Sequence, residues 1–273
     1  AEGVNTLASY LKSDVDLNIP VSKVKQEKTF AVIIANENYQ EEVNVEFALN
    51  DGMAFREYCI KLLGIPESNL HIRKDATLNN MLAEINWMQN IAKAYGAEAR
   101  FIFYYAGHGM PDESNGTSYL LPVDGKSNIL ATGYCMSRLY AELNGLNAAC
   151  VTVLMDACFS GSKRGEGMLA SARGVALKAK AEAPKGNMLV MTAAQGSETA
   201  YPYKEKKHGL FTYFLLKKLQ ESKGKVTYGD LFDYVKTNVA QKSVVVNEKS
   251  QTPTIAVSGD LVSTWQGIRL NED

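Results

Sequence analysis

Net charge is nearly absent from this chain: 29 Lys and Arg stand against 30 Asp and Glu, a formal −1. That balance gives no electrostatic grip on nucleic acid or on an anionic membrane, and the few lysine clusters carry no interleaved aromatics. Long apolar runs are missing as well. Nothing approaches the ~18 consecutive apolar residues of a membrane span, and no signal peptide is visible. The chain does begin Ala1-Glu2-Gly3 without methionine, as a processed or trimmed product would, so the compartment stays open between cytoplasm and export. Cysteine is scarce: Cys59, Cys135, Cys150 and Cys158 are widely spaced and form no CxxC pair. Neither a disulfide framework nor a zinc site is expected, and three of the four thiols read as packing residues. No EF-hand-like loop occurs, so no cofactor is indicated, calcium included. There is no internal repeat.

Against that background one stretch stands out, Phe101-Ile102-Phe103-Tyr104-Tyr105-Ala106-Gly107-His108-Gly109. An apolar run without alternation suits a strand buried on both faces of a parallel sheet. The glycines allow a tight exit and a close approach by other backbone or a ligand. His108 would then sit at the carboxyl edge of the sheet, where open α/β proteins place their ligands. Cys150-Val151-Thr152-Val153-Leu154-Met155-Asp156-Ala157-Cys158-Phe159-Ser160-Gly161 repeats the design and ends in an acid, a thiol and a glycine turn. If the two strands are parallel neighbours, His108 and Cys158 come within reach, a nucleophile beside its base. Fifty residues separate them, the His-to-Cys spacing of caspases. A lone histidine is more often a satisfied core residue; this context argues otherwise.

The remaining elements alternate between strand and helix. Thr29-Phe30-Ala31-Val32-Ile33-Ile34-Ala35 reads as the first strand, followed by a loop rich in Asn and Glu. Helical spacing over 45–63 stops at Gly64-Ile65-Pro66. Residues 69–73 suit a short edge strand, and Thr77 caps a helix running to Tyr95. Residues 110–117 read as a surface loop and 119–125 as a small hairpin or excursion outside the sheet. A helix over 137–146 leads into the Cys158 strand; further strands fall at 187–194 and 254–257, with a loop over 195–203 after the first of them, and helices at 210–219 and 231–239. This alternation predicts parallel βαβ crossovers with helices on both faces, in one domain from Thr29 to the end. Residues 1–28 read as an N-terminal extension, a short amphipathic piece near Leu7–Leu11 followed by an arm packed on the domain. His71 and His208 have no evident partners and read as surface residues. A nucleotide-binding doubly wound domain would need a glycine-rich loop after the first strand, and Ala35-Asn36-Glu37-Asn38-Tyr39 has none.

Tyr104-Tyr105-Ala106-Gly107-His108-Gly109 and Asp156-Ala157-Cys158-Phe159-Ser160-Gly161 resemble the two catalytic motifs of caspase-like cysteine peptidases. The pattern is closer to metacaspases and their bacterial relatives than to animal caspases: glycine follows the cysteine by three residues, not two, and Asp156 stands where the caspase signature has Gln. Asn50-Asp51 and Gly209-Leu210-Phe211-Thr212-Tyr213 extend the likeness. The resemblance implies a caspase-like three-layer α/β/α fold with a mostly parallel six-stranded sheet. It also implies a His108/Cys158 dyad, an oxyanion hole from the amides of Gly109 and Cys158, and protein or peptide substrates. Asp156 would point to the same side of its strand as Cys158, where a carboxylate suits a basic P1 side chain. By resemblance Asp51 reaches the same S1 pocket, so cleavage after Arg or Lys is expected. The Lys/Ala-rich residues 162–186 fall where caspases carry a cleavable linker, which makes Arg173, Lys178 and Lys180 candidate self-cleavage sites. A catalytically silent scaffold of the same fold is the alternative.

Overall fold

A strand covered by helices on both faces has no solvent side, and its sequence need not alternate. Thr29–Ala35 (β1), Arg100–Ala106 (β3) and Cys150–Asp156 (β7) are such strands, buried over nearly their whole length. The computed structural model describes residues 13–112, 114–157, 159, 184–196 and 198–271. In chain order the elements between and after these strands are α1 (Ala48–Glu57), β2 (Leu70–Lys74), α2 (Leu78–Tyr95), β4 (Gly109–Pro111), β5 (Ser118–Leu120), β6 (Tyr134–Cys135) and α3 (Met136–Asn144). Beyond β7 come β8 (Met188–Thr192), β9 (Pro202–Tyr203), β10 (His208–Gly209), α4 (Leu210–Glu221), α5 (Tyr228–Asn247) and β11 (Thr254–Val257).

Six strands form the main sheet in the order β11-β8-β7-β3-β1-β2, all parallel except β11, which runs antiparallel to β8. Alternate residues of each strand feed two separate cores. Ala31, Ile33, Ile102, Tyr104 and Leu154 pack with residues of α1, α4 and α5. Phe30, Val32, Ile34, Phe101, Phe103 and Tyr105 pack with α2 and α3. The alternating pattern's parallel crossovers are present, in the mostly parallel three-layer arrangement that the motif resemblance implies.

Local signals placed most elements. Thr77 caps α2, its hydroxyl accepting from the Asn80 amide at 3.2 Å, and β2 is an edge strand. The first helix continues past α1 as a π-turn over Tyr58–Leu62, ending before Gly64 as expected. Two expectations need correction. Residues 110–117 are not wholly a surface loop: β4 joins β5 and β6 in a separate three-stranded sheet, and Met110 is buried. That small sheet is the excursion expected around 119–125. The interval 195–203 likewise ends in a strand, β9, which pairs with β10. Both are strands of two or three residues, held by local pairing and too short to show a period.

The chain before β1 is fastened to the domain. Val15 lies fully buried in the core beneath α1 and α4, and the Tyr58 hydroxyl donates to its carbonyl at 2.7 Å. Gln220 Nε2 donates to the carbonyls of Asp14 at 3.2 Å and Leu17 at 2.7 Å. Asp14 accepts from Lys217 at 2.9 Å and from Lys206 at 3.1 Å. Burial alone would raise the Asp14 pKa, but these two ammonium groups outweigh it and hold the carboxyl well below the usual range. The short amphipathic piece near 7–11 lies outside the described residues.

Candidate active site

The register aligns three strand ends: Ala35 pairs with Ala106, and Ala106 with Asp156. The chain therefore leaves β1, β3 and β7 at one level of the carboxyl edge. His108 follows β3 by two residues, and the Gly107 amide between them donates to the Asp156 carbonyl at 3.3 Å. Cys158 follows β7 by two residues in sequence but lies outside the described residues, as do Arg173, Lys178 and Lys180. Gly109 opens β4, opposite Leu120.

His108 is held at every level. Its amide donates to the Tyr39 hydroxyl at 2.8 Å, and its carbonyl accepts from the Tyr105 hydroxyl at 2.7 Å and the Leu121 amide at 2.9 Å. The ring lies against Tyr39, centroids 4.7 Å apart. Nε2 is 2.6 Å from the Val43 carbonyl. A carbonyl can only accept, so Nε2 carries the proton and Nδ1 is the basic nitrogen of the neutral ring. A base with its tautomer fixed by main chain is what general-base chemistry requires.

The two acids singled out in the sequence meet at the amino end of α4. Asp156 is fully buried; its Oδ2 accepts from the Thr212 amide at 3.2 Å and the Thr212 hydroxyl at 2.7 Å. Since that hydroxyl donates to Asp156, the Tyr104 hydroxyl, 2.6 Å away, donates to Thr212. Asp51, in the first turn of α1, is also fully buried and accepts from the Gly209 amide through both oxygens at 3.1 Å. The unpaired amides and positive dipole end of a helix favour carboxylates. The Gly209-Leu210-Phe211-Thr212 segment is thus the element that gathers both acids.

His208 is a correction. Expected at the surface, it is completely buried between two carboxylates: Nδ1 donates to Asp51 at 2.8 Å and Nε2 to Asp16 at 3.1 Å. The cause is topological, because β10, paired with β9, folds back against α1 just before α4 begins. Burial would push its pKa down; the bonds to Asp16 and Asp51 outweigh that and raise it to about 9. His71 also has partners, Glu84 at 2.6 Å and the Trp87 ring stacked at 3.9 Å. Of the packing cysteines, Cys59 and Cys150 are buried, and burial pushes the Cys59 thiol up. Cys135 is only half-buried, 3.0 Å from the Ser137 hydroxyl.

Sequence reasoning missed Tyr39, Val43, Thr212 and Asp16. The available signal was position: Tyr39 and Val43 lie in the loop directly after β1, at the edge where the site was expected. Among the described residues no group of three or more His, Cys, Asp or Glu could hold a metal ion. No helix among them is long and apolar enough to cross a membrane.

A family model described as the caspase domain matches residues 28–260. Among solved structures, a protein from Geobacter sulfurreducens superimposes with TM-score 0.65 at 18% identity, covering 89% of this chain and 98% of its own. Caspase-1 from Spodoptera frugiperda superimposes with TM-score 0.60 at 15% identity, covering 91% and 94% respectively. At such identities these likenesses speak for the fold. No curated protein matches the chain in sequence.

Proposed function

Because the chain belongs to the caspase domain family, we propose that it is a cysteine endopeptidase of metacaspase type that cleaves after Arg or Lys. The observation that carries this reading is His108: a buried imidazole at the carboxyl edge, its Nε2 proton committed to the Val43 carbonyl and Nδ1 left basic.

In this reading Cys158 Sγ attacks the scissile carbonyl carbon and its proton passes to His108 Nδ1. The resulting imidazolium keeps its bond to Val43 and gives the Nδ1 proton to the leaving amine as the C–N bond breaks. Water, deprotonated by the same nitrogen, then attacks the thioester, freeing the new carboxyl terminus and the thiol. The amides of Gly109 and Cys158 hold the oxyanion, each worth about 3 kcal/mol in the transition state. In this reading Asp51 and Asp156 are the S1 acids, held by the amides of Gly209 and Thr212; His208 takes one side of Asp51, and the pair still suits a guanidinium or ammonium and repels an acid. The same preference directs the enzyme at its own residues 162–186, with Arg173, Lys178 and Lys180 as sites.

The test is cleavage of peptides differing only at P1 (Arg, Lys, Asp, Asn), with and without calcium. Wild type should cut the Arg and Lys peptides, and Cys158→Ala and His108→Ala should abolish turnover while remaining folded. Turnover by the Cys158→Ala protein would refute the assignment, and a folded wild type inert toward every peptide would favour a non-catalytic scaffold.

A further inference from the structure

The loop leaving β1 is built independently of His108. Asn36 is fully buried, accepting from the Ala76 amide at 2.8 Å and donating to the carbonyls of Ala76 at 3.4 Å and Leu121 at 3.3 Å. The Asp75 carboxylate accepts from the amides of Glu37 and Asn38, both at 2.9 Å, and from Asn38 Nδ2 at 2.9 Å. Further along, the Gln40 amide donates to the Val123 carbonyl at 2.9 Å, and the Val45 amide closes back on the Glu37 carbonyl at 3.0 Å. A loop so braced can place groups accurately, and it sends two to the histidine: the Val43 carbonyl to Nε2 and the Tyr39 side chain to the main chain and ring.

Tyr39 does three things at once. Its hydroxyl accepts the His108 N–H at 2.8 Å and donates its own proton to the Leu121 carbonyl at 3.2 Å. Its ring backs the imidazole. A Cβ added at Gly107 would sit 2.7 Å from the hydroxyls of both Tyr39 and Tyr105, so the glycine before His108 is what admits this pair of hydroxyls. Without the Tyr39 hydroxyl the buried His108 N–H would lose its acceptor, and the main chain carrying the imidazole would be free to shift.

We propose that Tyr39 is a positioning residue for the general base, its hydroxyl fixing the His108 backbone so that Nε2 stays on Val43 and Nδ1 stays the basic nitrogen. The proposal rests on the reading of His108 as the base of Cys158. It assigns to the loop after β1 a part in the reaction, although Tyr39 itself touches no reacting atom.

The experiment measures alkylation of Cys158 by iodoacetamide against pH, site-resolved by mass spectrometry, alongside kcat and KM on an Arg-P1 peptide. It compares wild type, Tyr39→Phe, which keeps the ring and loses the hydroxyl, and His108→Ala. Folding is followed by circular dichroism. In Tyr39→Phe the midpoint of the alkylation profile should rise by about one pH unit, a weaker thiolate–imidazolium pair. Its kcat should fall between about tenfold and a hundredfold, the cost of a misplaced base, with KM little changed. Should Tyr39→Phe fail to fold, Asp75→Ala loosens the same loop from outside the site and should move the profile in the same direction by less. A folded Tyr39→Phe protein with the wild-type profile and kcat overturns the proposal and leaves the peptidase reading standing. A wild-type profile that His108→Ala does not alter overturns both, because no base would then be there to position.

Discussion

His208 makes the stability of the protein depend on pH in a direction that can be worked out. Buried between Asp16 and Asp51, it titrates at about 9 where its usual value is 6.5. The folded value is raised, so the stabilisation is fully present below pH 6.5 and is lost as pH rises through about 9. At 1.36 kcal/mol per unit, that difference amounts to about 3 kcal/mol. Replacing His208 with asparagine removes the titration and leaves two buried carboxylates without their cation. Urea unfolding of wild type and His208→Asn across this range isolates the site, because titrations outside the Asp16–His208–Asp51 cluster are common to both proteins. The wild-type advantage should shrink by about 3 kcal/mol over the window. Asp16→Asn should lower the folded value, so its loss with pH begins earlier. The consequence is local as well as global: above about 9 the Ser13–Leu17 turn and the Asp51 carboxylate lose the charge that joins them. A wild-type advantage that is the same at both ends of the range would refute the reasoning, since His208 would then carry no proton between the acids.

The remaining expectations concern packing, specificity and processing. A methyl at Gly52 would meet Ala35 Cβ at 2.5 Å, so Gly52→Ala should push α1 off β1 and cost about 1–3 kcal/mol in urea unfolding; an unchanged midpoint would show that the helix can give. Asp156→Asn should lower kcat/KM for Arg and Lys peptides by the equivalent of about 2–5 kcal/mol, with Asp51→Asn weaker in the same direction. A wild-type preference for P1 Asp would overturn that assignment. Purified wild type should be nicked within 162–186 while Cys158→Ala stays whole; on gels and by terminal sequencing, two intact proteins under conditions of active peptide cleavage would exclude self-processing there.

Much of the fold could be read directly because its strands are buried on both faces. Such strands announce themselves as unbroken apolar runs, and the expected β1 agrees residue for residue with Thr29–Ala35. Caps were readable for the same local reason, as Thr77 shows. The end of α5 was not. Helical spacing fades after Val239, yet the helix runs on to Asn247 with Val244, Val245 and Val246 exposed. In that last stretch the fully buried residue is Ser243, a polar side chain, so the packed face leaves no apolar period to detect.

The site divides along a similar line. His108 was conspicuous because its context is local: a buried strand before it and glycine on either side. The groups that hold it or the acids are far off in sequence, with 65 residues between His108 and Val43, 157 between Asp51 and His208, and 192 between Asp16 and His208. No spacing rule spans such intervals. A chemical rule could have narrowed the search. A carboxylate placed beside the buried end of a parallel sheet needs donors from the protein when no substrate is there. Asp51 and Asp156 were both assigned to such a place, so their donors had to be sought among the unassigned polar groups. The chain has three histidines. His208 is the one that directly precedes a glycine and an apolar helix, and so stands at a helix amino end where carboxylates collect. Its reading as a surface residue rested on the lack of a partner near it in sequence, where Lys206 and Lys207 precede it. The two lysines are only half-buried, while the imidazole between Lys207 and Gly209 turns inward to the acids.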